Sequence, residues 1–255
     1  MSQDLVPANL PRELTLPEYL RGEEVGLEGV KATDILLPRM VLIQSLSPQR
    51  QQDSSLEEGS IILSDGTRLA GPGECIEITP IVFRKEYLHF EPRSKGGSLI
   101  DRTFDENSII AKKALAAAQR AMNPKAPRMS VDEDAYVESW NFYVWVFSIN
   151  RPAIINCART NVKKAREFLG LIAARGAPMY AGVYNVCSIK ERSRDKRFIY
   201  WVYSFSNNAT NPWVPEAVYR KFKSIAETTS LDNLRADYST GDESADAASN
   251  NGDEF

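Results

Sequence analysis

Apolar and polar residues alternate most clearly between residues 74 and 206. Glu74–Phe90 (ECIEITPIVFRKEYLHF) is rich in β-branched and aromatic residues, which favours a strand, and Pro80 marks a bulge or bend within it. Tyr136–Ile149 (YVESWNFYVWVFSI) is the clearest strand pattern in the chain. Its even positions Trp140, Phe142, Val144 and Val146 form a continuous apolar face, assigned to the core. The odd positions Asn141, Tyr143 and Trp145 mix polar and aromatic groups. Asn150-Arg151-Pro152 breaks the run, and Ala153–Ala158 reads as a short strand. Thr160–Arg175 is an amphipathic helix with Thr160 as its N-cap. Met179–Ile189 and Arg197–Ser206 pair as a hairpin across the charged turn Glu191–Lys196. On its second strand Phe198, Tyr200 and Ser204 face outward, and Ile199, Trp201, Tyr203 and Phe205 go to the core. Ser108–Met122 is a helix by propensity, and Pro215–Thr228 is the last helix.

Nearer the start, Ile35–Leu46 is apolar and is a strand or a buried helix, with Pro38 arguing for a strand edge or turn. The segment from Ile61 to Gly73 reads as a hairpin or loop, and 91–106 as a Gly-, Ser- and charge-rich loop. The central order is therefore strand, helical insertion 91–135, strand, strand, helix, strand, strand. That is the order of an oligonucleotide-binding (OB) barrel. The expected fold class is mainly β with helices (α+β). It is an OB-like five-stranded Greek-key barrel with a long insertion between strands 1 and 2 and a helix between strands 3 and 4. The expected organisation is a flexible arm over 1–33, the OB-like domain over 34–230 with its C-terminal helix at 215–228, and a disordered acidic tail over 231–255.

Charge sharpens this division. The chain carries 31 Lys and Arg against 34 Asp and Glu, a net charge of −3. Residues 231–255 hold seven acids and one base, which leaves residues 1–230 at +3. A segment so acidic and so poor in apolar residues cannot offset its ordering entropy by burial. A basic body tied to an acidic tail points to a polyanion site and a competitor for it. The three cysteines, Cys75, Cys157 and Cys187, lie far apart in apolar stretches and read as buried free thiols of a reducing compartment. No run of about 18 apolar residues is present, so no membrane span is expected. The N-terminus lacks a secretory pattern, which gives a cytoplasmic expectation.

Between Asn150 and Ser204 eleven Lys and Arg face three acids, with seven aromatics interleaved. Cations neutralise phosphates and release counterions, while flat rings stack on unpaired bases without regard to sequence. The candidate nucleic-acid-binding residues are Tyr143, Trp145, Arg151, Arg159, Lys163, Lys190, Arg192, Arg194, Lys196, Arg197, Phe198 and Tyr200. The competing reading is a solvated charged hairpin over an ordinary aromatic core, with Lys163, Lys164 and Arg166 as the wet face of their helix. Catalysis finds no support: His89 is the only histidine, no CxxC, HExxH or Walker pattern occurs, and no cofactor or metal is expected.

A basic OB barrel followed by an acidic tail ending in Gly252-Asp253-Glu254-Phe255 resembles the single-stranded DNA-binding proteins of tailed phages and, more distantly, bacterial ones. LPRMVLIQSLSP has the texture of such phage proteins. Ile-Pro, which precedes the terminal Phe of the bacterial tail, is missing here. The resemblance implies sequence-independent protection of single strands in phage DNA replication, recombination and repair, in the cytoplasm of a bacterial host. It implies a tail that competes with DNA for the basic groove and recruits replication proteins (polymerase, helicase or primase, recombination factors) through Asp253, Glu254 and Phe255. The arm or the 91–135 insertion could pair two subunits as a homodimer. Three other readings stay open: a module for RNA or structured DNA, a phage interaction protein acting through a DNA-mimicking tail, and, least favoured, a nuclease or other enzyme, for which Asp132-Glu133-Asp134 is the weak metal candidate.

Overall fold

The computed structural model describes residues 37–92, 97–122, 130, 134–193 and 198–228. The arm 1–33, the tail 231–255 and Arg194, Lys196 and Arg197 lie outside these residues. The described chain is mixed α+β and mostly strand. Nine strands, β1 (Arg39–Leu42), β2 (Ile61–Leu63), β3 (Arg68–Ala70), β4 (Cys75–Phe90), β5 (Leu99–Thr103), β6 (Tyr136–Val146), β7 (Arg151–Ala158), β8 (Tyr184–Arg192) and β9 (Ile199–Asn207), form one sheet. Its order is β3-β2-β1-β7-β6-β4-β8-β9, with β5 also on β4. Among the described residues four α-helices accompany it: α1 (Pro48–Gln52), α2 (Ile109–Met122), α3 (Val162–Ala174) and α4 (Glu216–Thr228).

The sheet is open in its backbone ladders; the expected closed five-stranded barrel is not formed among the described residues. The short strand β1 lies parallel to β7 and brings β2 and β3 with it, which extends the sheet past the β4-β6-β7 meander. Between β1 and β9, side chains replace a ladder. The Gln44 carboxamide donates to Trp201 O at 2.8 Å and accepts from Trp201 N at 3.0 Å. Asn161 Oδ1 accepts from Tyr203 N at 3.0 Å, and the Tyr203 hydroxyl donates to Met40 O at 3.2 Å.

Inside the curl, the even residues of β6 are buried as their alternation predicts, with Met40, Leu42, Ile155, Val186 and Tyr203 around them. Helix α3 fills the centre with Phe168. Its ring lies 5.0 Å from Phe142, 5.1 Å from Tyr184 and stacks on Phe205 at 4.2 Å. Pro80 falls at a register shift against β6, since a residue without an N–H cannot continue the ladder. The shift reverses the parity of β4: Ile76 and Ile78 face the core before it, and Phe83 after it. Helix α2 lays Ala111 and Ala114, three residues apart on one helix face, against Tyr87.

Several expectations change. Leu99–Thr103, read as loop, pairs with β4 at Tyr87–Phe90. The N-cap position of α3 belongs to Asn161, whose side chain bonds β9 and makes no cap hydrogen bond. Ile199, assigned to the core, is 55% exposed, because the hairpin runs past the body of the sheet there. Two of the three cysteines are not thiols: Cys75 and Cys187 stand opposite each other on β4 and β8 and form a disulfide, while Cys157 is buried in the core. Three cysteines far apart in sequence carry no sign of this, since it follows from the strand register alone.

Candidate nucleic-acid interface

The hairpin of β8 and β9 carries exposed cations beside half-buried aromatic rings. Strand β8 pairs with β4 only from Tyr184 to Cys187. From Ser188 to Arg192 its ladder is with β9 alone, and Ser193 N continues that ladder to Phe198 O at 2.9 Å. The projecting part is tied down from below. Lys164 of α3 meets Glu191 Oε1 at 2.7 Å and Glu167 Oε2 at 3.4 Å. Gly73 N donates to Ser188 Oγ at 3.0 Å. Burial alone would lower the Lys164 ammonium's pKa, but the Glu191 and Glu167 carboxylates hold it above its ordinary value.

Trp201 packs beneath the hairpin. Lys190 Nζ sits 5.0 Å above its ring. On the same indole, Gly59 approaches so closely that a Cβ there would lie 2.6 Å from ring atoms. Gly59 also has φ +90°, a left-handed conformation that favours glycine. The Tyr200 hydroxyl bonds Glu191 Oε2 at 3.5 Å, and burial followed by the Glu191 charge raises its pKa. Phe198 and Tyr200 hold their rings 6.4 Å apart and are half-buried. Lys190 and Arg192 are exposed. Lys163, on the first turn of α3 beside Lys164, is exposed as well and lies 3.9 Å from Glu167.

By the register, Glu191, Tyr200 and Phe198 share the hairpin face that meets Lys164, Lys190 and Arg192 share the other face with Trp201 and Ile199, and Lys163 lies next to Lys164 on α3. The other candidates lie elsewhere. Arg151 and Arg159 flank the two ends of β7, roughly 25 Å apart by strand rise. Arg151 bonds Asp65 Oδ2 at 2.6 Å and Thr67 Oγ1 at 3.0 Å, which pins the β2–β3 turn. Arg159 has φ +50° and pairs with the Asp134 carboxylate, donating also to Asp134 O at 2.9 Å.

Tyr143 and Trp145 occupy the outer face of β6, as alternation requires, but that face is covered rather than open. Helix α4 presents Phe222, 1% exposed, to a cluster with Ile81, Val183 and Val214. Phe222 lies 5.7 Å from the Trp145 ring and Lys221 Nζ 5.0 Å from it. Burial raises the Tyr143 hydroxyl's pKa. An amphipathic helix must cover some face of the sheet, and the sequence does not say which. Lys164, read with Lys163 and Arg166 as the wet face of its helix, is instead buried on Glu191, and the Gln44 contact carries no sign in the sequence, because the partners lie 27 and 157 residues away.

Among the described residues no cluster of three or more His, Cys, Asp or Glu is placed to hold a metal ion. His89 stacks on Tyr136 at 4.3 Å, toward the far end of β4. Among these residues no helix is long and apolar enough to cross a membrane.

The family model described as Pam3 phage gp34-like protein matches residues 11–233, and the chain belongs to that family. No curated protein and no solved structure matches the chain.

Proposed function

We propose that this member of a phage protein family binds single-stranded DNA through the β8–β9 hairpin. The observation that carries the reading is the projecting hairpin with exposed Lys190 and Arg192 and half-buried Phe198 and Tyr200, whose acid Glu191 is neutralised by Lys164. In sequence, residues 194–197 add Arg194, Lys196 and Arg197 against the single acid Asp195. Cations within about 8–10 Å of one another act together on a polyanion at physiological salt. Each stacked base adds about 1–3 kcal/mol without sequence preference.

The pairing order supports the same reading. The run β7-β6-β4-β8-β9, with α3 between β7 and β8, follows the strand order of an OB fold up to its closing pair. In that fold the loop between the fourth and fifth strands, here the hairpin turn, borders the binding face. Strand β1 stands where the third and fifth strands would meet, so the OB-like barrel of this proposal closes through Gln44 and Asn161. With Tyr143 and Trp145 under α4, the stacking rings of the proposal are Phe198 and Tyr200. The acidic segment 232–254 acts as an internal competitor for the cations and recruits replication proteins.

The test is a fluorescence-anisotropy titration with a labelled single-stranded oligomer and its duplex at two salt concentrations. Tight single-strand binding that weakens with salt, with the duplex far weaker, is the expected result. Equal duplex affinity, or binding to neither, overturns the proposal. Competition by a matched RNA oligomer decides between DNA and RNA. Deleting 232–255 should tighten single-strand binding and abolish partner capture, and no change in either removes the tail's role.

A further inference from the structure

The Cys75–Cys187 disulfide stands at the point where the hairpin leaves the sheet. The register pairs of β8 with β4 are Ile78–Tyr184, Glu77–Asn185, Ile76–Val186 and, last, Cys75–Cys187. Beyond Cys187 the strand runs five residues to Arg192 with no β4 partner. The bridge therefore closes the four-pair ladder at its outer end, where fraying would begin. Cys75 is exposed and Cys187 partly exposed, so a small thiolate can reach the bond from solvent. Besides the bridge, the hairpin is held by the Gly73–Ser188 hydrogen bond, the Lys164–Glu191 ion pair, the Gln44 amide with Trp201 packed on Gly59, and, at its base, Tyr203 bonded to Asn161 and Met40; on β8 beyond Cys187 only the first two of these remain.

We propose that this disulfide is a redox-operated clasp that sets how firmly the β8–β9 hairpin is held to β4. A low-molecular-weight thiol of the glutathione class opens it. Its thiolate attacks Cys75 Sγ, forming a mixed disulfide and releasing the Cys187 thiolate, which takes up a proton. A second small thiolate then attacks the small-molecule sulfur of the mixed disulfide. That frees the Cys75 thiolate, which is protonated in turn, and the two small thiols leave as their disulfide, carrying the two electrons' worth of oxidation. The reverse exchange with the small-molecule disulfide closes the clasp. A solvent-exposed bridge is open to this exchange, whereas a buried one resists it. Nucleic-acid binding is not an assumption of the proposal, and its test does not use a nucleic acid.

The experiment equilibrates the full chain in buffers of graded reduced-to-oxidised glutathione ratio. Thiols are trapped by alkylation after denaturation, and a parallel sample is followed by amide hydrogen exchange. Cys157 contributes one alkylated thiol in either state, so the count should pass from one to three within the ratios a bacterial cytoplasm spans. On reduction the amides of Val186–Arg192 and Ile199–Tyr203 should exchange at least about tenfold faster, with those of β6 and β7 unchanged. Cys75→Ser and Cys187→Ser should each exchange like the reduced protein and lose sensitivity to the ratio. Reduced wild-type protein supplies the same comparison if either variant fails to fold. A count that stays at one or at three across the whole range overturns the proposal. So do equal hairpin exchange rates in the two redox states, or faster exchange over the whole sheet.

Discussion

Replacing Gln44 by alanine removes the one side chain that pairs with both backbone groups of Trp201. The carboxamide is buried and makes hydrogen bonds of 2.8 and 3.0 Å, and the indole above them is buried too. Each bond contributes about 1 kcal/mol net, and a buried backbone group left unpaired costs about 1–3 kcal/mol. Partial hydration of the opened seam recovers some of this, so a loss of about 2–4 kcal/mol is expected. For a domain of this size that is roughly 6–12 °C in Tm, taking about 3 kcal/mol at about 2–4 °C per kcal/mol. The assay is urea unfolding followed by circular dichroism, with the midpoint falling at unchanged slope. Gln44→Met keeps the volume and loses both bonds, so it should cost nearly as much as alanine. A loss below about 0.5 kcal/mol for Gln44→Ala, or full rescue by methionine, would refute the claim that the amide stands in for a missing strand ladder.

Lys190→Gln and Arg192→Gln should each lower the salt slope of single-strand binding by about 1 in a log–log plot, with the fold intact by circular dichroism. An unchanged slope places the phosphates elsewhere. Gly59→Ala puts a Cβ into the Trp201 ring at a left-handed φ, and unfolding by urea should show a loss larger than the about 0.4–1 kcal/mol an unstrained glycine replacement can return. Asp53 has its pKa lowered to about 2, first by the Ser55 hydroxyl, then by the Ser55 N–H and Arg68. A depressed carboxylate contributes stability that is fully present above its ordinary value of 3.8 and lost as pH falls through about 2. Ser55→Ala should move the Asp53 titration, followed by carboxyl NMR, back toward 3.8, and a midpoint still near 2 would assign the shift to the remaining residue-55 N–H and Arg68 instead.

Much of the local structure was legible from alternation and propensity. The even face of β6 is core because four apolar residues in strict period 2 have no other use for one face of a strand. Pro80 announced its bulge because it cannot donate to the ladder. Long-range pairing was not legible. Nothing in ILLPRMVL says that its strand lies parallel to β7 and opens the barrel order. The pairing of Cys75 with Cys187 depends on a register set 112 residues apart. The candidate site divided for the same reason. Lys190, Arg192, Phe198 and Tyr200 are neighbours on one hairpin, and sequence proximity was enough to group them. Tyr143 and Trp145 had the right parity for an outer face, but parity does not say whether a helix covers that face, and α4 does. Arg151 and Arg159 are basic in composition, yet each is engaged by a carboxylate that the fold brings to it.

On the proposed function, single-stranded DNA lies on the β8–β9 hairpin. The most direct test is photo-crosslinking of the full chain to a single-stranded oligomer carrying halogenated uracils, with the adducts located by mass spectrometry. The account predicts adducts on Phe198 and Tyr200, lost on competition with unlabelled single strand and not with duplex. Adducts confined to other parts of the chain, or none at oligomer concentrations that saturate the anisotropy signal, would contradict it.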